Sequence, residues 1–237
     1  MQLPFFYIKE FDHTQKEIEL DEDTSKHIVQ VLRSKEGEKV NLTDGKGNLL
    51  EAEIIEAHKK HCRVNIQHST FNIQQSRRIT IAISLLKNTH RFEWFLEKAT
   101  EIGISEIFPL ICDRTEKQKF RYERMNGICI SAMLQSQQTW LPVLHEPLKY
   151  IEYLKTNENN NSMKLIAHCD EGNKQTIANL QTGTFSQWQI AIGPEGDFTK
   201  EEIELAKQNG FISVSLGNTR LRSETAAVVA ATLLQFN

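Results

Sequence analysis

Two rhythms of hydrophobic and polar positions run along the chain, and one gives way to the other near residue 73. Before that point the apolar residues come in short runs punctuated by turns. KVNLTD, GKGN and LLEAEIIEA read as a hairpin, in which the Asp44-Gly45 and Gly47-Asn48 pairs tolerate positive φ. HCRVNIQ reads as a further strand. TSKHIVQVLR reads as one short helix capped by Thr24 or Ser25, with Ile28, Val31 and Leu32 on one face at i, i+3 and i+4. Several short strands and one helix predict a small β-barrel module.

After the unpatterned stretch FNIQQSRR, strands and helices alternate. ITIAISLL is a continuous apolar run of the buried-strand type. RFEWFLEKATEIG predicts an amphipathic helix with Phe92, Phe95, Leu96 and Ala99 on one stripe and Gly103 as its stop. ISEIFPL is a strand, followed by a helix from Arg121 to Gln138 and another from Pro147 to Lys155. Beyond the NENNNS loop come strands MKLIAH and WQIAIG, a helix opening at Thr199, strand FISVSL and a final helix. Apolar strands alternating with helices predict a parallel sheet covered on both faces. The expected organisation is a β module over residues 1–73 and an α/β domain over residues 74–237.

Composition narrows the class. With 39% hydrophobic and 25% charged residues in a chain of 237, the sequence is that of a globular protein, not a disordered or fibrous one. No run approaches the roughly 18 apolar residues of a membrane span, and MQLPFFYIKEF lacks both a basic n-region and a continuous apolar h-region. The expectation is a cytoplasmic protein without membrane contact. Cys62, Cys112, Cys129 and Cys169 form no C-x-x-C pair, and His58 and His61 lie in a polar, charged segment, so no metal is expected. The net charge of −3 gives no general support to nucleic-acid binding, although Lys and Arg outnumber Asp and Glu between Arg77 and Arg124.

In parallel α/β sheets, ligands bind beyond the carboxyl ends of the strands. Three such loops carry unusual residues. The one after MKLIAH holds His168, Asp170, Glu171 and Gly172. In GPEGDFTKEE, Gly193 and Gly196 bracket Pro194 and Glu195, and Thr199-x-x-Glu202 spells a capping box. The third is SLGNTRLRSETAAVVA, where Ser223 reads as an N-cap and Glu224 suits the first helical turn. Arg220 and Arg222 oppose the helix dipole there, and so call for another partner. The chain has no phosphate loop, no dinucleotide fingerprint and no nucleophile elbow.

IGPEGDF followed by LGNTRLRSETAAVVA resembles the two C-terminal motifs of the 16S ribosomal RNA uridine N3-methyltransferase family, a branch of the SPOUT superfamily of knotted methyltransferases. KATEIGISEIFPL, Arg114, AMLQSQQ, HIVQVLR and DGKGN resemble further family motifs. The sequence departs from the pattern at Asp197, where Gly is usual, and at Arg220, where a β-branched residue is usual. It departs again at Ser223, Leu134, Gln138 and Pro4.

The resemblance implies an N-terminal PUA-like barrel that helps hold RNA and a C-terminal α/β domain with a deep trefoil knot. It implies S-adenosylmethionine as cofactor, 16S ribosomal RNA in the small subunit as substrate, and a homodimer through the knot region. His168, Ile192, Gly193, Pro194, Glu195, Gly196, Leu216, Gly217, Asn218, Leu221, Ser223 and Thr225 would hold the cofactor. Arg222 would donate to the uracil or clamp a phosphate; Glu224 would orient Arg222 or act as base. Arg77, Arg78, Lys87, Arg91 and Arg114 are the expected RNA contacts. The alternatives are a knotted methyltransferase for another RNA and a non-catalytic RNA-binding protein.

Overall fold

The structure, a computed structural model, describes residues 3–74, 77–116, 119–156, 162–170, 174–177, 180 and 185–236. The chain forms two compact units, residues 1–74 with 133–141, and residues 75–132 with 142–237. The second stretch of the first unit, residues 133–141, lies far along the chain from the single break near residue 73 that the pattern predicts.

The first unit contains β1 (Phe5–Tyr7), β2 (Glu17–Glu19), α1 (Glu22–Lys26), β3 (Lys39–Thr43), β4 (Asn48–Glu56) and β5 (Arg63–Phe71). Its sheet runs β1-β3-β4-β5-β2, antiparallel except for β1 beside β3. The β3–β4 hairpin sets Val40 opposite Ala52 and Leu42 opposite Leu50, and all four are buried. In the turn, the Asp44 carboxylate accepts from Lys46 N at 2.8 Å and from Asn48 Nδ2 at 2.6 Å. Gly47 takes φ +99°, and a Cβ there would stand 2.6 Å from the Trp140 ring. The same approach explains why residues 133–141 join this unit: Gly47 N donates to Thr139 O, and Trp140 Nε1 to Asn72 O.

The expected first helix needs correction. Its cap is Asp21, which accepts from Thr24 N, and α1 passes at Lys26 into a π-helical turn over His27–Val31. A wider turn breaks the 3.6-residue register. Ile28 is therefore buried, while Val31 and Leu32 are 66% and 44% exposed. Ser25 is not a cap but a buried tie, donating to Leu20 O and accepting from Cys62 N.

The second unit begins with β6 (Arg78–Ser84), α2 (Thr89–Ile102), β7 (Glu106–Ile111) and most of α3 (Tyr122–Gln135). There follow β8 (Val143–Leu144), β9 (Leu148–Lys149), α4 (Tyr150–Thr156), β10 (Met163–Ala167), β11 (Gln175–Thr176), β12 (Gln187–Ile192), α5 (Lys200–Gln208), β13 (Ile212–Ser215) and α6 (Ser223–Phe236). The helix expected from Pro147 starts at Tyr150, because Leu148 and Lys149 pair with β7 instead. All the strands are parallel, in the order β11-β13-β10-β12-β6-β7-β8, with β9 also on β7.

Side chains alternate across this sheet. Ala82, Ala191 and Ile166 are cross-strand neighbours on one face and share a core with Tyr150, Tyr153 and Leu154 of α4 and Ile203 and Ala206 of α5. The opposite face, with Ile81, Ile83, Ile190 and Ile192, is left to α6, which packs on β6, β12 and α2. The α2 stripe is buried as its periodicity predicts, with Asn88 as cap and Gly103 as left-handed stop.

Inside the first of these cores, Tyr153 Oη donates to Gln189 Oε1 at 2.7 Å, and Gln189 Nε2 donates to Ser162 Oγ at 2.6 Å. Tyr153→Phe keeps the ring and leaves a buried acceptor unpaired. It is expected to lower stability by about 1–3 kcal/mol, read as a lower urea midpoint at unchanged slope.

Candidate functional site

Strand order places the site. β13 is separated from β12 by β10, and α6 lies over β12 and β6. The chain leaving Ser215 must therefore travel back across about 10 Å of sheet before α6 can begin. Residues 216–222 make this crossing at the carboxyl ends of β10 and β12. Between them and the loops after Ala167 and Ile192 is a cavity of about 730 Å³.

The loop after β12 is held at many points. A Cβ on Gly193 would stand 3.0 Å from Phe198 N and 3.1 Å from its ring, so a larger residue would have to push the Phe198 main chain or ring back by a few tenths of an ångström. Asp197 N donates to Pro194 O, closing a turn that leaves Asp197 at φ +64°. Left-handed backbone is costly for most residues, and Asp tolerates it through local hydrogen bonds. Here Oδ1 accepts from Phe198 N at 2.8 Å and Oδ2 from Cys169 N at 2.7 Å, so the departure from glycine ties this loop to the one after β10. Arg114 Nη1 donates to Gly196 O at 2.6 Å. The expected capping box forms between Thr199 and Glu202, and Glu202 Oε1 also accepts from Asp113 N.

In the third loop, Gly217 adopts φ +139° and its carbonyl accepts from Ser215 Oγ. Arg222 O accepts from Ala226 N at 2.7 Å, so Arg222 closes the first turn and Ser223, the expected cap, is a buried first helical residue. Arg220 and Arg222 line the cavity and are exposed. Glu224 is not on the cavity wall. It is 6% exposed, with Oε1 3.6 Å from Arg91 Nε and Oε2 buried without a hydrogen-bond partner, so among the described residues its ion pair is with Arg91 and not with Arg222.

Of the expected cofactor residues, His168, Ile192, Gly193, Pro194, Glu195, Leu216, Gly217, Asn218, Leu221 and Ser223 line the cavity; Gly196 and Thr225 do not. Glu171 and Gly172 lie outside the described residues. Cys169, Lys174, Asp197 and Thr219 also line it and were not among the cofactor residues expected from the sequence. Of these, Asp197 carried a signal, as the position that departs from the motif's glycine.

Each expected RNA contact already has an intramolecular partner. Arg77 donates to Leu234 O and lies 5.4 Å over the Trp188 ring. Arg78 pairs with Glu106, Lys87 with Glu116, Arg91 with Glu224, and Arg114 with the Gly196 carbonyl. Arg78, Lys87 and Arg91 are thus ion-paired within the fold, whereas Arg77 and Arg114 meet carbonyl oxygens.

A family model described as an RNA methyltransferase domain matches residues 74–235, and one described as an RNA methyltransferase PUA domain matches residues 20–67. The chain is 31% identical to ribosomal RNA small subunit methyltransferase E of Rickettsia conorii, over 90% of this chain and 87% of that protein. It superposes on the crystal structure of ribosomal RNA small subunit methyltransferase E from Neisseria gonorrhoeae bound to S-adenosyl methionine with a TM-score of 0.89 and 28% identity, covering 99% and 97% of the two chains. A probable rRNA-methyltransferase from Porphyromonas gingivalis gives 0.86 at 35% identity, covering 97% and 95%.

His168 Nε2 sits 2.9 Å from Ser213 Oγ, and Nδ1 is buried without a hydrogen-bond partner among the described residues. Burial, then nearby Lys174, holds its pKa below the usual imidazole value, and burial does the same for His145, stacked on Phe108. A lowered histidine pKa means that the unfolded chain binds more protons, so stability rises with pH. Stability should fall as pH drops from about 7 towards 5, and His168→Gln should remove part of that fall while His145 keeps the rest, as read by urea unfolding across the interval.

Proposed function

This chain belongs to the RNA methyltransferase family that includes the ribosomal RNA small subunit methyltransferase E proteins, and from that membership we infer that it is an S-adenosylmethionine-dependent enzyme methylating ribosomal RNA of the small subunit. The observation that carries the reading to particular residues is the cavity at the ends of β10, β12 and β13, with Arg222 on its wall.

The cavity suits the cofactor. Its volume falls within the range of small-molecule sites, about 300–1,000 Å³. Ile192, Leu216 and Leu221 supply apolar wall, and Gly193 and Gly217 supply wall positions that carry no side chain of their own. These residues, with His168, Pro194, Glu195, Asn218 and Ser223, would hold it. When bound, S-adenosylmethionine supplies a methyl group on a positively charged sulfur.

The atom to be methylated is N3 of a uridine in 16S ribosomal RNA. The N3 proton is weakly acidic and leaves to solvent water, so a cationic donor that stabilises the resulting negative charge on O2 or O4 lowers the barrier to its loss. Arg222 takes this role, since its guanidinium is exposed on the wall and has no side-chain partner among the described residues. Glu224 is not the base in this reading. Its carboxylate is buried against Arg91 and braces the start of α6, two residues from Arg222. The target base leaves its stack to reach the site.

The PUA-like first unit helps to hold the RNA. The segment from Leu216 to Arg222 threads the knot, consistent with its return across the sheet. The enzyme works in the cytoplasm as a homodimer through α6, where Val228, Val229 and Leu233 are only half-buried and Phe236 is 76% exposed.

Calorimetric titration with S-adenosylmethionine should show binding, weakened at least about tenfold in Gly193→Ala because the added Cβ displaces the wall. Arg222→Ala should bind the cofactor normally while kcat falls about 10²–10³-fold, the usual cost of one transition-state donor. N3 methylation blocks reverse transcriptase, so rRNA from a strain lacking the gene should lose one stop. A stop that persists unchanged would overturn the assignment.

A further inference from the structure

The charges around the cavity divide into those already satisfied within the fold and those that are not. Glu195 Oε1 accepts from Lys87 N at 3.0 Å, and the Asp197 carboxylate accepts from Cys169 N and Phe198 N. Lys174 Nζ donates to His168 O at 2.7 Å. Arg220 and Arg222 are different: both line the cavity, both are exposed, and neither guanidinium has a hydrogen bond or ion pair among the described residues.

Two residues of chain span at most about 7 Å, so the two cations share one stretch of wall. They repel one another there, and they also oppose the dipole of α6. An incoming anion offsets both costs. The basic residues between Arg77 and Arg114, by contrast, are engaged elsewhere.

Resting on the methyltransferase reading, we propose that Arg220 is a substrate-positioning residue that holds a backbone phosphate of the RNA beside the target nucleotide, leaving Arg222 for the base. When a nucleotide is flipped, its base enters the pocket and its phosphates stay outside. Arg222 adjoins the first turn of α6 through its carbonyl, whereas Arg220 ends the exposed run from Gly217. The planar guanidinium fork matches two phosphate oxygens at once.

The test uses the full chain and small ribosomal subunits from a strain lacking the gene, with binding measured over a range of salt. Arg220→Ala should weaken binding about tenfold, the size of one charge-assisted contact, and reduce the slope of log affinity against log salt by about 1. Arg220→Lys should restore most of the slope, since charge is kept. Affinity for S-adenosylmethionine, titrated in parallel, should not change. An unaltered slope in Arg220→Ala, or a loss confined to cofactor affinity, would overturn the proposal. If the wild-type protein binds subunits but transfers no methyl group to them, the methyltransferase reading fails, and the salt slope still decides whether Arg220 meets a phosphate.

Discussion

The constraint on which the site depends is the position of α6. Its small buried residues, Ala227, Ala230 and Ala231, let it lie close over β6 and β12, yet the strand that precedes it is two places away in the sheet. The connecting residues cannot follow the sheet edge. They cross the strand ends, and in crossing they wall a cavity whose other walls are the loops after β10 and β12. A helix packed beside β13 would have left those loops open to solvent. The apolar composition of α6 thus shapes a polar site through topology, not through contact with a ligand.

Within that frame, the polar residues divide their work. Glu202, Arg114 and Asp197 spend their hydrogen-bonding capacity on backbone, fixing the loop after β12 from several sides. Loop atoms fixed in advance lose little freedom when a ligand arrives, which is how preorganisation raises affinity. Asp197 stands where the family motif that the sequence resembles has glycine. It accepts an unusual φ and in return connects two walls of the cavity, a substitution that trades backbone ease for two charged hydrogen bonds.

Much of this is legible in the sequence. The switch from short punctuated strands to alternating apolar strands and helices carried the two architectures, because burial on one face or two leaves different periods in the sequence. The α2 stripe with its Gly103 stop, and the Thr199–Glu202 box, are local chemistry and appear as read. The short helix around Ile28 was misread because a π turn shifts register without changing composition. The place of residues 133–141 was hidden because it rests on Trp140 meeting a glycine turn nearly a hundred residues earlier.

What the sequence determined by itself was the set of parts: which segments are strands and helices, which loops carry glycines, and which positions are charged. Those follow from interactions between near neighbours. What only the tertiary structure decided was adjacency. Parallel strands with similar apolar runs do not encode which of them pair, so the order β13-β10-β12 and the convergence of three loops belong to the fold. The fate of each charge belongs there too. Arg91 and Glu224 find one another across more than a hundred residues, while Arg220 and Arg222 are left facing the cavity. Charge is a property of the residue, but whether it is spent depends on what packing brings within reach.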